Sequence, residues 1–271
     1  MSASLGINSV NMALSAMGLG AFGLAIGHLV SYVLSSIRLV KLDDFILWNR
    51  KTKLADSISY AKQNYQYPLY LVPSELIGNV VHQLPVFVFS AKGDSSVVGY
   101  YTLCQRLIGL PFALLVNSIS SVLKERFIRE RDANGNCVPL FLKMSLLLGG
   151  ISAAITLPLF LVADWFVPFF FGPEWAPAAF YLKWSLLPFS FRFFVSPLTY
   201  VFLVYKKQSL DLIMQIVSFV ITGLTFFVTL QGDGGITKAL IGYSFAATAL
   251  YVSYYCVSLS VVIANRREKN V

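Results

Sequence analysis

The chain has 271 residues, of which 56% are hydrophobic and only 13% charged, and its formal net charge is +8. Soluble domains carry about 25% charged residues, and the mean hydropathy here is +0.68, which excludes a soluble globular enzyme. The positive charge could indicate nucleic-acid binding. However, the basic residues lie in loops between apolar runs, so we expect them to contact membrane lipids and expect no nucleic-acid partner.

Apolar stretches of spanning length fill most of the sequence. A transmembrane helix needs about 20 mostly apolar residues, and continuous runs favour helices over barrel strands, which would alternate. We therefore predict an all-α integral membrane protein with about seven transmembrane helices, at 9–36, 71–91, 97–122, 140–163, 177–204, 210–230 and 236–263.

The distribution of Lys and Arg between these stretches predicts the orientation. The loops at 37–70 and 123–139 and the tail at 266–271 are basic, whereas the loops at 164–176 and 231–235 contain no Lys or Arg. Basic loops stay in the cytoplasm, so we predict an outside N-terminus and a cytoplasmic C-terminus in a multi-pass protein. The 123–139 stretch mixes charges of both signs and predicts a solvated helix next to the membrane.

Residues typical of cofactor or metal chemistry are sparse. Cys104, Cys137 and Cys256 are far apart in sequence, and His28 and His82 are isolated. This pattern indicates neither a zinc site nor a disulfide framework, and no phosphate-binding glycine loop is present. We predict no cofactor and no metal. The first apolar stretch has no preceding basic region and is not predicted to be a secretory signal.

The second predicted span carries four polar side chains. Glu75, Asn79, His82 and Gln83 have offsets of zero, four, seven and eight, which place them on one face of a helix. Lipid cannot satisfy such groups, so the face should meet protein or water. The stripe therefore predicts either the wall of a substrate cavity or hydrogen bonds between helices.

A glutamine and an arginine lie deep in the third predicted span. Gln105 and Arg106 are about 14 Å from its outer end at 1.5 Å per residue. Placing an arginine there costs at least about 2.5–3.5 kcal/mol, so Arg106 should have a ligand, water or a counter-ion. We consider both a cargo-binding role and a structural pair with Glu75.

The fifth predicted span contains two further cations on either side of Pro188. Lys183 and Arg192 point in opposite directions on a straight helix, and Lys183 is close enough to the outer interface to reach water. Arg192 shares one face with Ser185, Pro188, Ser196 and Thr199, which favours Arg192 as the cavity residue. Buried cations among polar stripes and prolines favour a pathway for an anion. An enzyme of glycan assembly would need paired carboxylates, which the short outer loops do not show.

Two segments carry a family resemblance. Residues 84–127, LPVFVFSAKGDSSVVGYYTLCQRLIGLPFALLVNSISSVLKERF, and 171–208, FGPEWAPAAFYLKWSLLPFSFRFFVSPLTYVFLVYKKQ, resemble the polysaccharide-biosynthesis family of oligosaccharide-lipid flippases. That family belongs to the multidrug/oligosaccharidyl-lipid/polysaccharide exporter superfamily. The resemblance extends over roughly residues 60–265.

The resemblance implies a domain organisation and a function. Residues 1–36 would be the last helix of a first lobe, 37–70 the basic cytoplasmic inter-lobe loop, 71–265 the six-helix C-terminal lobe and 266–271 a cytoplasmic tail. Alternating access uses two lobes, so we expect a truncated or partial chain.

The implied activity is not enzymatic. It is the flipping of undecaprenyl-pyrophosphate-linked oligosaccharide across the bacterial inner membrane during O-antigen, lipopolysaccharide or exopolysaccharide assembly, with polysaccharide polymerase and export proteins as further partners. The alternatives are an exporter of drugs or peptidoglycan precursor, and an integral-membrane glycan-assembly enzyme.

Overall fold

A computed structural model describes residues 67–92, 95–231 and 235–267, together with Ser59, Lys62 and Tyr65. The chain divides into two compact units, residues 1–65 and 66–271. The helices described below all belong to the second unit.

The described part of the second unit consists of helices and contains no strand. A π-helical turn, Tyr67–Leu71, precedes α1, and short 3₁₀ segments occur at Pro173–Trp175 and Ser196–Thr199. The α-helices are α1 (Val72–Ala91), α2 (Ser95–Asn134), α3 (Val138–Phe171), α4 (Ala178–Val195), α5 (Tyr200–Val204), α6 (Gln208–Gln231) and α7 (Gly235–Arg267). Within these ranges six helical segments are long and apolar enough to cross a membrane, with α4 and α5 forming one of them.

The predicted spans from residue 71 onward are confirmed as helices, and the all-α membrane class is confirmed with them. The predicted span at 9–36, most of the 37–70 loop and the last residues of the 266–271 tail lie outside the described residues. The division into lobes and the orientation in the membrane stay predictions.

Two helices extend further than hydropathy predicted. The helix α2 continues through the charged stretch to Asn134, as expected of a solvated juxtamembrane helix. The helix α3 runs to Phe171, so the predicted outer loop at 164–176 is much shorter than expected. The apolar aromatic residues after Asp164 continue the helix. Gly172 ends it with a φ of 100°, a backbone conformation that favours glycine.

The helix α4 lies at the centre of the bundle and is the most buried of the spanning segments. It packs on α3, where Ser152 Oγ donates to the carbonyl of Ser190 at 2.9 Å. It also packs on α2, where the rings of Phe112 and Phe193 lie 4.8 Å apart between centroids. The helix α4 packs against α2, α3 and α7. These contacts leave one side of α4 for its polar residues.

One long side chain connects two helices at the end of the bundle that is predicted to face the cytoplasm. Arg131 Nη1 donates to the carbonyl oxygen of Val204 at 2.6 Å, joining α2 to the last residue of α5. A charged donor on a terminal helix carbonyl satisfies one of the groups that a helix end leaves unpaired. This bond fixes the ends of α2 and α5 beside each other.

Candidate functional site

A polar cavity of about 450 Å³ lies inside the second unit. Its described walls come mainly from α1, the α4–α5 segment, α6 and α7, with one residue from α2. The volume is within the range of small-molecule sites. The polar and charged residues that line it are Glu75, Asn79, His82, Lys124, Arg192, Ser196, Thr199, Tyr200, Gln208, Asp211, Gln215, Ser218, Thr222, Tyr243, Tyr251 and Tyr254.

Three of the four polar residues predicted on α1 line this cavity. Glu75, Asn79 and His82 are lining residues, whereas Gln83 is exposed and is not one of them. At 100° per residue, Gln83 lies at the edge of the arc that the other three share. The His82 ring contacts the Phe189 ring edge-on, with 5.8 Å between centroids, which holds the imidazole against α4.

Arg192 lines the same cavity from the middle of its span. It lies about 21 Å from the start of α4 and about 18 Å from the end of α5 at 1.5 Å per residue. Ser196 and Thr199, which share its predicted face, are lining residues too. The helix tightens to 3₁₀ at Ser196–Thr199, a segment that contains Pro197.

The electrostatic surroundings of Arg192 contain no direct counter-ion among the described residues. Arg192 lies close enough to His82 and Tyr243 to interact with them electrostatically. The ion pairs found in the described ranges are Arg129–Glu125, Arg131–Asp132 and Lys183–Asp164. A guanidinium is permanently charged and has several hydrogen-bond donors, so Arg192 has the chemistry that an anion requires.

Lys183, Gln105 and Arg106 are not lining residues of this cavity. Lys183 Nζ donates to Asp164 Oδ2 and lies 5.6 Å from the centroid of the Phe160 ring, near the end of the bundle that is predicted to face outward. The snorkelling expected for Lys183 thus has a specific carboxylate partner. Gln105 is half-buried within α2.

Arg106 is exposed on a face of α2 that points away from the unit's own core. The buried positions of α2 include Tyr101, Cys104, Ile108 and Phe112, which recur at helical spacing. Arg106 is two residues after Cys104 and therefore about 200° around the helix from it. No pair with Glu75 forms among the described residues, and the role of Arg106 in binding stays a prediction.

The sequence analysis missed a polar stripe on α6. Gln208, Asp211, Gln215, Ser218 and Thr222 have offsets of zero, three, seven, ten and fourteen and line the cavity together. This spacing lies on one helix face, and counting amides and hydroxyls as well as charges would have found it. Lys124, assigned to a solvated helix, is also a lining residue.

The acidic part of the cavity joins α1 to α6 and α7. Ser74 Oγ donates to Asp211 Oδ2, and the Tyr254 hydroxyl donates to the backbone oxygen of Asp211 at 3.4 Å. Glu75 is near enough to Asp211 to interact with it electrostatically. Asp211 is in the first turn of α6, so the carboxylates lie towards the cytoplasmic end of the unit in the predicted orientation.

No group of three or more His, Cys, Asp and Glu side chains suited to a metal ion occurs within the described ranges. The chemistry available in the cavity is therefore that of two cations, Arg192 on α4 and Lys124 on α2, a carboxylate on each of α1 and α6, and neutral amides and hydroxyls. Such a lining is chemically complementary to a ligand that carries both negative charge and many hydrogen-bonding groups.

Comparison with known families gives one match. A family model described as "polysaccharide biosynthesis protein" matches residues 1–180, which is more than half of the chain. The matched range contains the 84–127 segment and ends at the start of α4. No curated protein and no solved structure matches the chain.

Proposed function

This chain belongs to the polysaccharide biosynthesis protein family, and we propose that it moves a lipid-linked oligosaccharide from the cytoplasmic to the outer leaflet of the bacterial inner membrane. The cargo would be an undecaprenyl-pyrophosphate-linked glycan. Polysaccharide polymerase and export proteins would act on it afterwards. The role of the family and the multi-pass membrane fold are the premises from which this proposal starts.

The observation that carries the proposal is the placement of Arg192. Its guanidinium lines the cavity at mid-span and has no carboxylate within 4.0 Å among the described residues. The membrane cost of an arginine, about 2.5–3.5 kcal/mol or more, is offset when an anion enters the cavity. A pyrophosphate or a carboxylated sugar supplies that charge and can accept two parallel hydrogen bonds from the guanidinium.

The rest of the lining fits the glycan of such a cargo. Asn79 and Gln215 offer amide groups, and Tyr251 offers a hydroxyl. The carboxylates of Glu75 and Asp211 accept hydrogen bonds from sugar hydroxyls, because an ionised carboxylate is an acceptor only. In this proposal the anion binds Arg192, and the sugar binds the amides, the hydroxyl and the carboxylates.

The cytoplasmic half is where the cargo would enter. Gln208 is the first residue of α6, and Lys124 lies in the part of α2 that leads into the basic stretch; both line the cavity. The basic 123–139 stretch and Lys206–Lys207, which the predicted orientation places in the cytoplasm, lie at the same end. A lipid-linked precursor made in the cytoplasm would meet this end first.

The test is transport by the purified full chain in proteoliposomes. The probe is an undecaprenyl-pyrophosphate-linked disaccharide with a nitrobenzoxadiazole group, whose arrival in the outer leaflet is followed by dithionite quenching. Arg192→Gln should slow its transfer by about tenfold or more, the value of a lost charge-assisted hydrogen bond. The matched control is Lys183→Gln, which removes a cation from the same helix outside the cavity and should leave the rate unchanged. Transfer by Arg192→Gln at the wild-type rate, with normal membrane insertion, would refute the proposal.

The pairing of Glu75 with Asp211 favours one competing function. Two carboxylates in one cavity supply the acid and base that an integral-membrane glycan-assembly enzyme needs, which the outer loops did not offer. Incubation of the purified chain with the same labelled lipid and mass analysis of the products separates the two. A changed glycan that is lost in Glu75→Gln and Asp211→Asn favours the enzyme, and an unchanged glycan favours transport.

A further inference from the structure

We infer that a polar stripe on α6 binds the sugar hydroxyls of the cargo and selects its glycan. This α6 stripe consists of Gln208, Asp211, Gln215, Ser218 and Thr222. This inference rests on the proposed function and assigns a part of the cavity to recognition. The class of ligand is a glycosyl diphosphate, with the diphosphate on Arg192 and the uncharged sugar hydroxyls along α6.

The geometry of the stripe suits an extended chain. From Gln208 to Thr222 the stripe extends about 21 Å along one face of α6, at 1.5 Å per residue. Every member lines the same cavity, and Arg192 lines it from α4. One wall therefore presents amides, a carboxylate and hydroxyls in sequence, while another wall presents the cation.

Two members of the stripe carry polar atoms that lack a partner. Gln208 is 2% exposed and Thr222 is 0% exposed, and neither Gln208 Nε2 nor Thr222 Oγ1 has a hydrogen-bond partner within the described structure. Buried polar atoms are paired in the great majority of cases, and an unpaired one requires an explanation. Both residues belong to the cavity wall, so a ligand hydroxyl that enters after a side-chain rotation would satisfy them.

The next threonines on the same face of α6 have hydrogen-bond partners. Thr225 Oγ1 donates to the carbonyl of Ile221 at 2.8 Å, and Thr229 Oγ1 donates to that of Thr225 at 2.7 Å. Neither residue lines the cavity. Thr222 is thus an unpaired threonine beside the cavity, and its neighbour one turn away is a paired threonine outside it.

The experiment compares two soluble probes on the full chain in lipid nanodiscs. One probe is geranyl diphosphate, and the other is geranyl diphosphate linked to a disaccharide ending in glucose, galactose or N-acetylglucosamine. The ratio of the two affinities isolates the contribution of the sugar. Thr222→Val and Gln208→Met should each lower that ratio by about fivefold, the value of one hydrogen bond, and leave geranyl diphosphate binding unchanged.

A matched control and a stability readout separate recognition from structure. Thr225→Val makes the same substitution one turn away and should not change the ratio. Thr222→Val should be as stable as the wild type or more stable, because its hydroxyl has no partner to lose. The inference would be overturned if Thr222→Val lowered the stability and weakened the binding of both probes. It would also be overturned if neither Thr222→Val nor Gln208→Met changed the ratio of affinities.

The two proposals fail in different ways. If none of the three disaccharides binds more tightly than geranyl diphosphate to the wild type, the assignment of α6 is wrong. The proposed function still stands in that case if Arg192→Gln weakens geranyl diphosphate itself. If Arg192→Gln does not weaken it, both proposals fail.

Discussion

The close approach between the C-terminal part of α6 and the N-terminal part of α7 depends on Gly242, and Gly242→Ala tests it. A Cβ atom at this position would lie 3.0 Å from Thr229 Cγ2 and 3.3 Å from Thr225 Cγ2. Both threonines are stiff at χ1, and their hydroxyls are engaged by the carbonyls of their own helix. Neither methyl group can rotate away without breaking a hydrogen bond, so the helices must separate.

The size of the effect follows from two opposing contributions. Overpacking costs about 1–3 kcal/mol, and replacing glycine with alanine inside a helix gains about 1 kcal/mol. Gly242→Ala should therefore destabilise by about 1 kcal/mol. Gly223→Ala and Gly149→Ala, where a Cβ would meet nothing within 4 Å, should stabilise by up to about 1 kcal/mol.

The assay is unfolding of the purified chain by sodium dodecyl sulfate in mixed micelles, followed by circular dichroism. Because the propensity gain is common to all three variants, the difference between Gly242→Ala and Gly223→Ala measures the contact itself, about 1–3 kcal/mol. Equal stabilities of the two variants would refute the close packing of α6 on α7.

Two further predictions concern packing and reactivity. Ser152→Ala removes the interhelical hydrogen bond to Ser190 and should destabilise the protein by about 0.6–1.7 kcal/mol in the same assay. The control, Ser145→Ala, loses only a bond to Phe141 of its own helix and should have almost no effect. Equal effects of the two substitutions would contradict this account. Burial raises the pKa of the Cys137 thiol, which lies between α2 and α3, so less thiolate is present at a given pH. Cys137 should resist iodoacetamide at about pH 8 in the folded protein and react after unfolding, as mass spectrometry would show; equal rates in both states would contradict its burial.

The fold was largely predictable because each apolar run is bounded by charge. The pair Lys206–Lys207, for example, lies between the end of α5 and the start of α6. The extension of α3 was not predicted, since Asp164 and Pro168 were taken as loop residues. A single exposed carboxylate and a proline did not stop a helix whose other residues there are large and apolar.

Which residues line the cavity was predictable where several residues agree on one helix face, and was not predictable from one charge considered alone. Arg192 shares its face with Ser196 and Thr199, and that agreement placed it at the cavity. Arg106 was assigned from depth alone, although depth does not determine which side of a helix a residue occupies. Thr222 and Gln208 were overlooked because neutral polar groups contribute little to a charge count, even when they repeat along one face.

The most direct test of the central claim is whether the cavity beside Arg192 is solvated and binds an anion. Ser196→Cys, one turn from Arg192 on the cavity wall, would be exposed to a membrane-impermeant methanethiosulfonate in inside-out vesicles, with Cys256 replaced by serine. Ser185→Cys, at a buried position that does not line the cavity, is the control. We expect rapid modification of Ser196→Cys alone, slowed by geranyl diphosphate. Absence of modification, or modification that geranyl diphosphate does not slow, would contradict the account.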